Sequence, residues 1–325
     1  GGERPTVQLV DVKKTKDGYE FGFDRLDRWI DMCKRCGIKY FEMSHLFTQW
    51  GAEHAPKIIA EVDGEEKRIF GWETDADSAE YCDFLRRFAA ALTAFIDKKG
   101  IRNFCRFHVS DEPSLEQYET YKKRADIIAE IFPGFKVIDA LSDIEFFDKG
   151  AVKYPIPSED HVEDFVGKVD EIWTYYCCGQ HNKDVPNRFF AMPSARNRIL
   201  GALLYKYNAV GFLQWGYNFW YSQFSKHEID PFTVTDAGKA FPSGDAFVVY
   251  PGENGQPLNS LRLKVFYDGL QDFAAMRLLE SLVGREKALE IIVRDDEFSF
   301  LKYPHGSSYL IALRERVNQA IKENI

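Results

Sequence analysis

Two carboxylates adjacent in sequence, Asp111 and Glu112, are the residues of this 325-residue chain whose type and setting most directly suggest chemistry. They close the stretch Phe104–Pro113, Phe-Cys-Arg-Phe-His-Val-Ser-Asp-Glu-Pro. Cleaving a glycosidic bond takes a proton donor and a group that stabilises an oxocarbenium-like centre. Glu112 can be the donor, with its pKa raised by partial burial and by the neighbouring Asp111 charge. Paired catalytic carboxyls usually come from different strands, about 5 to 9.5 Å apart. Sequence neighbours suit another scheme, in which the sugar's own 2-acetamido oxygen attacks. The aspartate then orients the acetamido N–H and balances the charge of an oxazoline-like intermediate. The plainer reading is that both acids cap the helix that follows, where negative charge is favourable.

Aromatic residues near other strand ends add weight to the sugar reading. Trp215, Tyr217, Trp220 and Tyr221 follow one predicted strand, and Tyr175 and Tyr176 end another. Rings with polar tips hold the apolar face of a sugar and also hydrogen-bond its hydroxyls. Core packing is the competing role, above all for Phe212 and Phe219. His45, just past a strand end, is a further candidate contact, while His108 reads more simply as structural. Asn187 and Arg188 precede a helix and suit either capping or substrate contact. Asp268 and Asp272, one helical turn apart, read as a solvated or capping pair.

The elements that must position these groups follow from hydrophobic spacing. Cys105, Phe107 and Val109 alternate with Arg106, His108 and Ser110, predicting a strand that Pro113 ends. Ser114 and Gln117 form a capping box for the next helix. Strands are also predicted at 6–10, 38–43, 136–140, 152–156, 171–176, 210–215 and 246–250, the last as a buried parallel strand. Helical spacing marks a helix through Leu26–Cys33 closed by Gly37, and one from an Asp77/Glu80 capping box to Gly100. Others are predicted through Ile131, over 194–207 and 260–283, and at the C-terminus through Leu310, Leu313, Val317 and Ile321. Ile58–Val62 and Lys67–Phe70 flank Asp63-Gly64 as a hairpin, within a long excursion over 44–76 above a barrel rim. Eight strands alternating with helices predict an α/β fold, a (β/α)8 TIM barrel occupying 1–325 as one catalytic domain.

Composition sets bounds on function. Apolar residues make up 45% and charged residues 29%, enough for a large core under a polar surface. The net charge of −9 with no basic block disfavours nucleic-acid and anionic-membrane partners. No apolar run approaches the roughly 20 residues of a membrane span. Six cysteines include Cys33/Cys36 and Cys177/Cys178, but no second Cys-x-x-Cys or His-x-x-His completes a zinc set, so thiols are expected. The Gly1-Gly2 start reads as the edge of a longer protein.

Several motifs in order resemble glycoside hydrolase family 123. They are Phe41-Glu42-Met43-Ser44-His45-Leu46-Phe47, His108-Val109-Ser110-Asp111-Glu112-Pro113 and Trp173-Thr174-Tyr175-Tyr176-Cys177-Cys178-Gly179. Gly211–Trp220 and Gly244–Gly252 continue the resemblance. It implies a (β/α)8 barrel and substrate-assisted retention of configuration, with Glu112 as general acid/base and Asp111 positioning the acetamido group. It also implies a sugar pocket built from the tryptophan-tyrosine motif. An all-β domain precedes the barrel in that family and is absent from this chain. The expectation is therefore a retaining exo-glycosidase for terminal β-linked N-acetylhexosamine, N-acetylgalactosamine favoured, needing no metal or organic cofactor. Its partner would be a glycan or glycoconjugate, and the resemblance favours a periplasmic, cell-surface or secreted setting. Two rivals remain: a metal-dependent barrel hydrolase using His45, His108, Asp111 and Glu112, and a non-catalytic carbohydrate-binding barrel.

Overall fold

A computed structural model of the protein describes residues 7–49, 51–294 and 297–325. The chain divides into two compact units, the first ending at Ile156 and the second running Pro157–Ile325.

The first unit contains β1 (Asp11–Thr15), β2 (Gly18–Gly22), α1 (Asp24–Arg35), β3 (Phe41–Glu42), β4 (Ile58–Val62) and β5 (Glu65–Phe70). It continues with α2 (Ala79–Lys99), β6 (Cys105–Phe107), α3 (Tyr118–Ile131), β7 (Lys136–Ala140), α4 (Glu145–Asp148) and β8 (Tyr154–Ile156). β3, β6, β7 and β8 form one parallel sheet in that order. α2 buries Tyr81, Phe84, Leu85, Leu92 and Ile96, a stripe at helical spacing. Phe70 and Phe84 pack ring to ring at 5.2 Å. Each such fully buried side chain is worth about 1.5–3 kcal/mol. Gly100, at φ 69°, ends α2 in the left-handed conformation that a side chain would resist.

Several expected boundaries move. The first expected strand loses Thr6, which lies outside the described residues, and Val7–Val10 are not strand. The hairpin β1/β2 comes after it instead. Asp63 and Gly64 both take positive φ, so the predicted hairpin β4/β5 is present. It is no free-standing excursion, because β4 pairs with β1 and completes a four-stranded sheet β2-β1-β4-β5. The cap of α2 is Ser78 rather than Asp77, whose carboxylate instead binds Arg124 and Lys123. The Ser114/Gln117 box is formed in full, opening a short 3-10 turn that runs into α3.

The second unit contains β9 (Trp173–Tyr175), α5 (Ala195–Arg198), α6 (Leu200–Lys206), β10 (Gly211–Leu213), β11 (Val249–Pro251) and β12 (Pro257–Asn259). α7 (Leu261–Val283), α8 (Arg285–Val293) and α9 (Ser307–Asn324) complete it. β9 and β10 pair in parallel. The run 246–250, expected as a parallel strand, is buried through Val249, but only Val249–Pro251 is strand, antiparallel to β12. Buried apolar runs look alike in either kind of ladder, so hydrophobicity could not choose between them. The predicted helix over 194–207 is two short helices. α6 and α7 meet at two glycines: a Cβ on Gly201 would lie 1.8 Å from the Gly269 carbonyl oxygen. Asp272, expected to be solvated, is buried and binds Arg198 at 2.7 and 3.1 Å and Arg314 at 2.9 Å. Three charged donors offset the cost of burying that carboxylate. Among the described residues, no helix is long and apolar enough to cross a membrane.

Candidate active site

The Asp111–Glu112 pair stands just beyond the C-terminal end of β6, one of the two inner strands of the parallel sheet. β6 itself is short, yet Cys105 to Ser110 are all buried, so both the apolar and the polar face are enclosed. The polar face finds its partners on the flanking strands. His108 Nε2 lies 2.9 Å from Glu42 Oε1 at the end of β3, and Nδ1 lies 3.7 Å from Asp139 Oδ1 on β7. Three adjacent strands thus contribute one charge each to a line. Burial alone would lower the His108 pKa, but Asp139 and Glu42 outweigh it and carry it up to about 10. Burial would raise the half-exposed Glu42 carboxyl, but His108, with a smaller contribution from His45, outweighs that and holds it below its ordinary range.

Asp139 is fully buried and also fixes the backbone before the pair. Its Oδ2 accepts from Val109 N at 3.2 Å, Ser110 N at 3.1 Å and the Tyr121 hydroxyl at 2.7 Å. Glu112 N donates to Ala140 O at 2.9 Å. Glu112 takes φ 46°, a left-handed backbone uncommon outside glycine. The strand has already ended at Phe107, so the two carboxyls lie outside the opposite-face rule of a regular strand. Glu112, expected to be partly buried, is exposed, and Asp111 is the more enclosed of the two. Asp111 Oδ2 accepts from Gln49 Nε2 at 2.6 Å. Burial pushes the Asp111 carboxyl up to about 6. Gln49 and His108 oppose the rise, and the charges of Glu112 and Asp139 reinforce it.

Gln49 belongs to the irregular stretch 43–49, which with residues 51–57 is tied down at several points. Ser110 Oγ donates to Thr48 O at 2.8 Å, the Tyr81 hydroxyl to Leu46 O, and buried Arg124 Nε to Ala52 O at 3.0 Å. His45 lies on the same segment, its ring edge-on to His108 with centroids 5.8 Å apart. As a metal ligand His108 would need a bare ring nitrogen, but both nitrogens face carboxylates that keep it protonated. Among the described residues, no three or more His, Cys, Asp or Glu side chains are grouped to hold a metal ion.

In the second unit the candidate aromatics separate by exposure. Trp215 is 42% and Tyr217 53% exposed, whereas Tyr175 and Tyr176 are buried. Tyr176 packs edge-on against Phe212 at 5.0 Å, and its hydroxyl reaches Asn197 Oδ1 at 3.4 Å. Trp220 is half-buried, with Nε1 donating to Val249 O at 3.0 Å. The segment bearing these rings is zipped along 245–249: Phe219 N donates to Ala246 O at 3.1 Å and Val248 N to Tyr217 O at 2.9 Å. Gly216 permits that approach, because a Cβ there would lie 2.6 Å from Asp245 O. Asn187 and Arg188, left open between capping and substrate contact, hold loops. Asn187 Nδ2 donates to Cys177 O at 3.1 Å, and the Arg188 guanidinium donates to Gly216 O and, at 2.7 Å, to Asp245 O. Burial pushes the Asp245 carboxyl up to about 6, against the pull of Arg188, the Trp215 indole and Arg262.

The catalytic-domain profile of glycoside hydrolase family 123 matches residues 1–279. The chain belongs to glycoside hydrolase family 123. A structure of a family 123 glycoside hydrolase from Clostridium perfringens, studied for glycolipid glycan hydrolysis, superimposes with a TM-score of 0.68 at 18% identity. The alignment covers 97% of this family 123 chain and 57% of the clostridial one, and supports a shared mixed α/β fold. A β-D-glucuronidase from Dictyoglomus thermophilum, with a TM-score of 0.30 and 9% identity over 80% of this chain and 53% of its own, is too distant to inform the fold. No curated protein matches.

Glu42, Gln49, Tyr121 and Asp139 were not among the residues singled out from sequence. Asp139 carried a usable signal, an aspartate inside an apolar strand, where a charge needs partners. Glu42 also lies at a parallel strand end, the reasoning that selected Glu112. Gln49 had only its place in a polar, aromatic loop.

Proposed function

We propose that this family 123 domain is a retaining exo-glycosidase for terminal β-linked N-acetylhexosamine, with N-acetylgalactosamine favoured, acting by substrate-assisted catalysis. The observation that carries this reading is the unequal setting of two adjacent carboxyls. Asp111 is enclosed and held by one oxygen, while Glu112 stands exposed on a left-handed turn. Neighbouring carboxyls given different environments suit different tasks. Asp111, as carboxylate, accepts the acetamido N–H and balances the positive charge as the acetamido oxygen closes on the anomeric carbon. Glu112 gives its proton to the departing oxygen, then takes one from the water that opens the oxazoline.

Trp215 and Tyr217 are the rings exposed to take a sugar face. Trp220, by the family's tryptophan-tyrosine motif, and His45, Tyr175 and Tyr176, by their places at or just past predicted strand ends, remain proposed pocket residues. A glycan or glycoconjugate is the proposed substrate, and a (β/α)8 barrel the proposed full architecture, which an open sheet in a crystal structure would overturn.

Aryl glycosides test the mechanism. Glu112→Gln should lower kcat/KM on the order of 10²–10⁴-fold. The loss should shrink for a nitrophenyl leaving group, whose oxygen hardly needs the proton. Efficient cleavage of a plain β-galactoside by the parent enzyme would mean direct attack by an enzyme carboxylate, and the substrate-assisted reading would fall.

A further inference from the structure

Gln49 and Asp111 meet across a two-rung tie between the 43–49 stretch and the end of the β6 segment. Ser110 Oγ donates to Thr48 O at 2.8 Å, and one residue on, Gln49 Nε2 donates to Asp111 Oδ2 at 2.6 Å. The first rung fixes the two backbones relative to each other. The second acts on the carboxylate itself. An aspartate's terminal torsion is broad and nearly two-fold, so a carboxylate held at neither oxygen samples many orientations. A short bond to Oδ2 removes that freedom and sets the direction of Oδ1. Among the described residues no donor other than Gln49 bonds the Asp111 carboxylate.

We propose that Gln49 is a positioning residue that anchors Asp111 Oδ2 and thereby presents Oδ1 to the sugar's acetamido N–H, which makes the 43–49 stretch part of the selection for 2-acetamido substrates. The inference rests on the substrate-assisted reading above. Gln49 touches the carboxylate, not the reacting atoms. Its amide N–H also favours the ionised form that Asp111 needs. The other charges acting on Asp111 are Glu112 beside it, Asp139 on β7 and His108 on its own segment, with Glu42 acting through His108. All of them remain when Gln49 is replaced.

The test uses Gln49→Met, which keeps length and removes the donor, and Gln49→Glu, which keeps shape and adds a like charge. The parent enzyme is first assayed on nitrophenyl N-acetyl-β-galactosaminide and on nitrophenyl β-galactoside. Cleavage of both would overturn the substrate-assisted reading, and this inference with it. If the parent is selective, Gln49→Met should lose roughly 10- to 100-fold in kcat/KM on the N-acetyl substrate, as a misplaced reacting group does. The acidic limb of its pH–rate profile should move to higher pH, and further still in Gln49→Glu. Affinity for a thiazoline mimic of the oxazoline should fall roughly tenfold or more in Gln49→Met. A selective parent whose variants keep its acidic limb and thiazoline affinity would overturn the role of Gln49 and leave the mechanism standing. A general folding defect would lower rates without ordering the acidic limbs as parent, Met, Glu. Should Gln49→Met not fold, the isosteric Gln49→Glu carries the same test, and an unmoved limb there overturns the proposal.

Discussion

In the first unit the buried imidazolium of His108 lies between two carboxylates, whereas in the second the buried guanidinium of Arg188 and the half-buried one of Arg262 donate to backbone carbonyls. Charge answers charge around His108, whose protonation is set by the carboxylates of Asp139 and Glu42. Around Arg188 a permanent cation answers fixed dipoles, and what it determines is the path of loops. One region is arranged so that protons and charge can be adjusted, the other so that exposed rings are held in place. That difference is in keeping with the separate roles proposed above for Asp111 and Glu112 and for Trp215 and Tyr217.

The contrast breaks most directly at the second unit's backbone contact. Gly201→Ala would drive a methyl group into the Gly269 carbonyl, where no flexible side chain can yield. A loss beyond about 4 kcal/mol is expected, seen as insoluble protein or a collapsed melting transition. Normal stability in this variant would show that α6 and α7 are not locked by backbone shape.

A smaller effect separates the two kinds of buried cation. His108→Leu leaves Asp139 buried without its imidazolium and should cost about 3 kcal/mol. Arg188→Leu removes charge-assisted bonds to carbonyls and should cost about 2 kcal/mol. Only the first depends on pH. The folded-state pKa of His108, about 10, exceeds its ordinary 6.5. Its stabilisation is therefore fully present below about pH 6.5 and is lost as pH rises through about 10. Urea unfolding at pH 6, 8 and 10 should show the parent converging on His108→Leu, while the gap to Arg188→Leu persists. Parallel pH profiles for the parent and His108→Leu would dissolve the contrast.

The last expected effect is a gain rather than a loss. Asp111 sits at about 6, above its ordinary 3.8, so the folded protein binds this proton more tightly than the unfolded chain. Its ionisation therefore costs stability that begins to build near pH 4 and is complete above pH 6. Asp111→Asn should be more stable than the parent at pH 7 by about 2 kcal/mol, after allowing for partial exposure, with the advantage fading toward pH 4. Loss of activity together with that gain is the signature of a charge kept for function. A destabilised Asp111→Asn would mean that the carboxylate serves the fold.

Much of the frame was legible in the sequence because it depends on local rules. The Asp63-Gly64 turn, the Gly100 stop, the Ser114/Gln117 box and α7 each follow from residues a few positions apart. The adjacent carboxyls and the aromatic clusters were legible for the same reason. Where two local signals compete, as with Asp77 beside Ser78, only the tertiary partner decides. Arg124 on α3 takes the Asp77 carboxylate, and the cap passes to serine.

By itself the sequence determined which residue types were available for chemistry, the order of the elements and the family's motifs, all of them written in short windows. Tertiary structure alone decided which carboxyl of the pair is enclosed, that Gln49 reaches Asp111 over 62 residues, and that His108 carries a charge. Protonation and burial are properties of surroundings, and the surroundings of His108 are assembled from β3, β6 and β7, strands whose spacing in sequence says nothing of their contact in space. The same holds for the buried run 246–249: hydrophobicity marks it as interior, but its neighbour in the ladder is chosen only when the chain closes on itself.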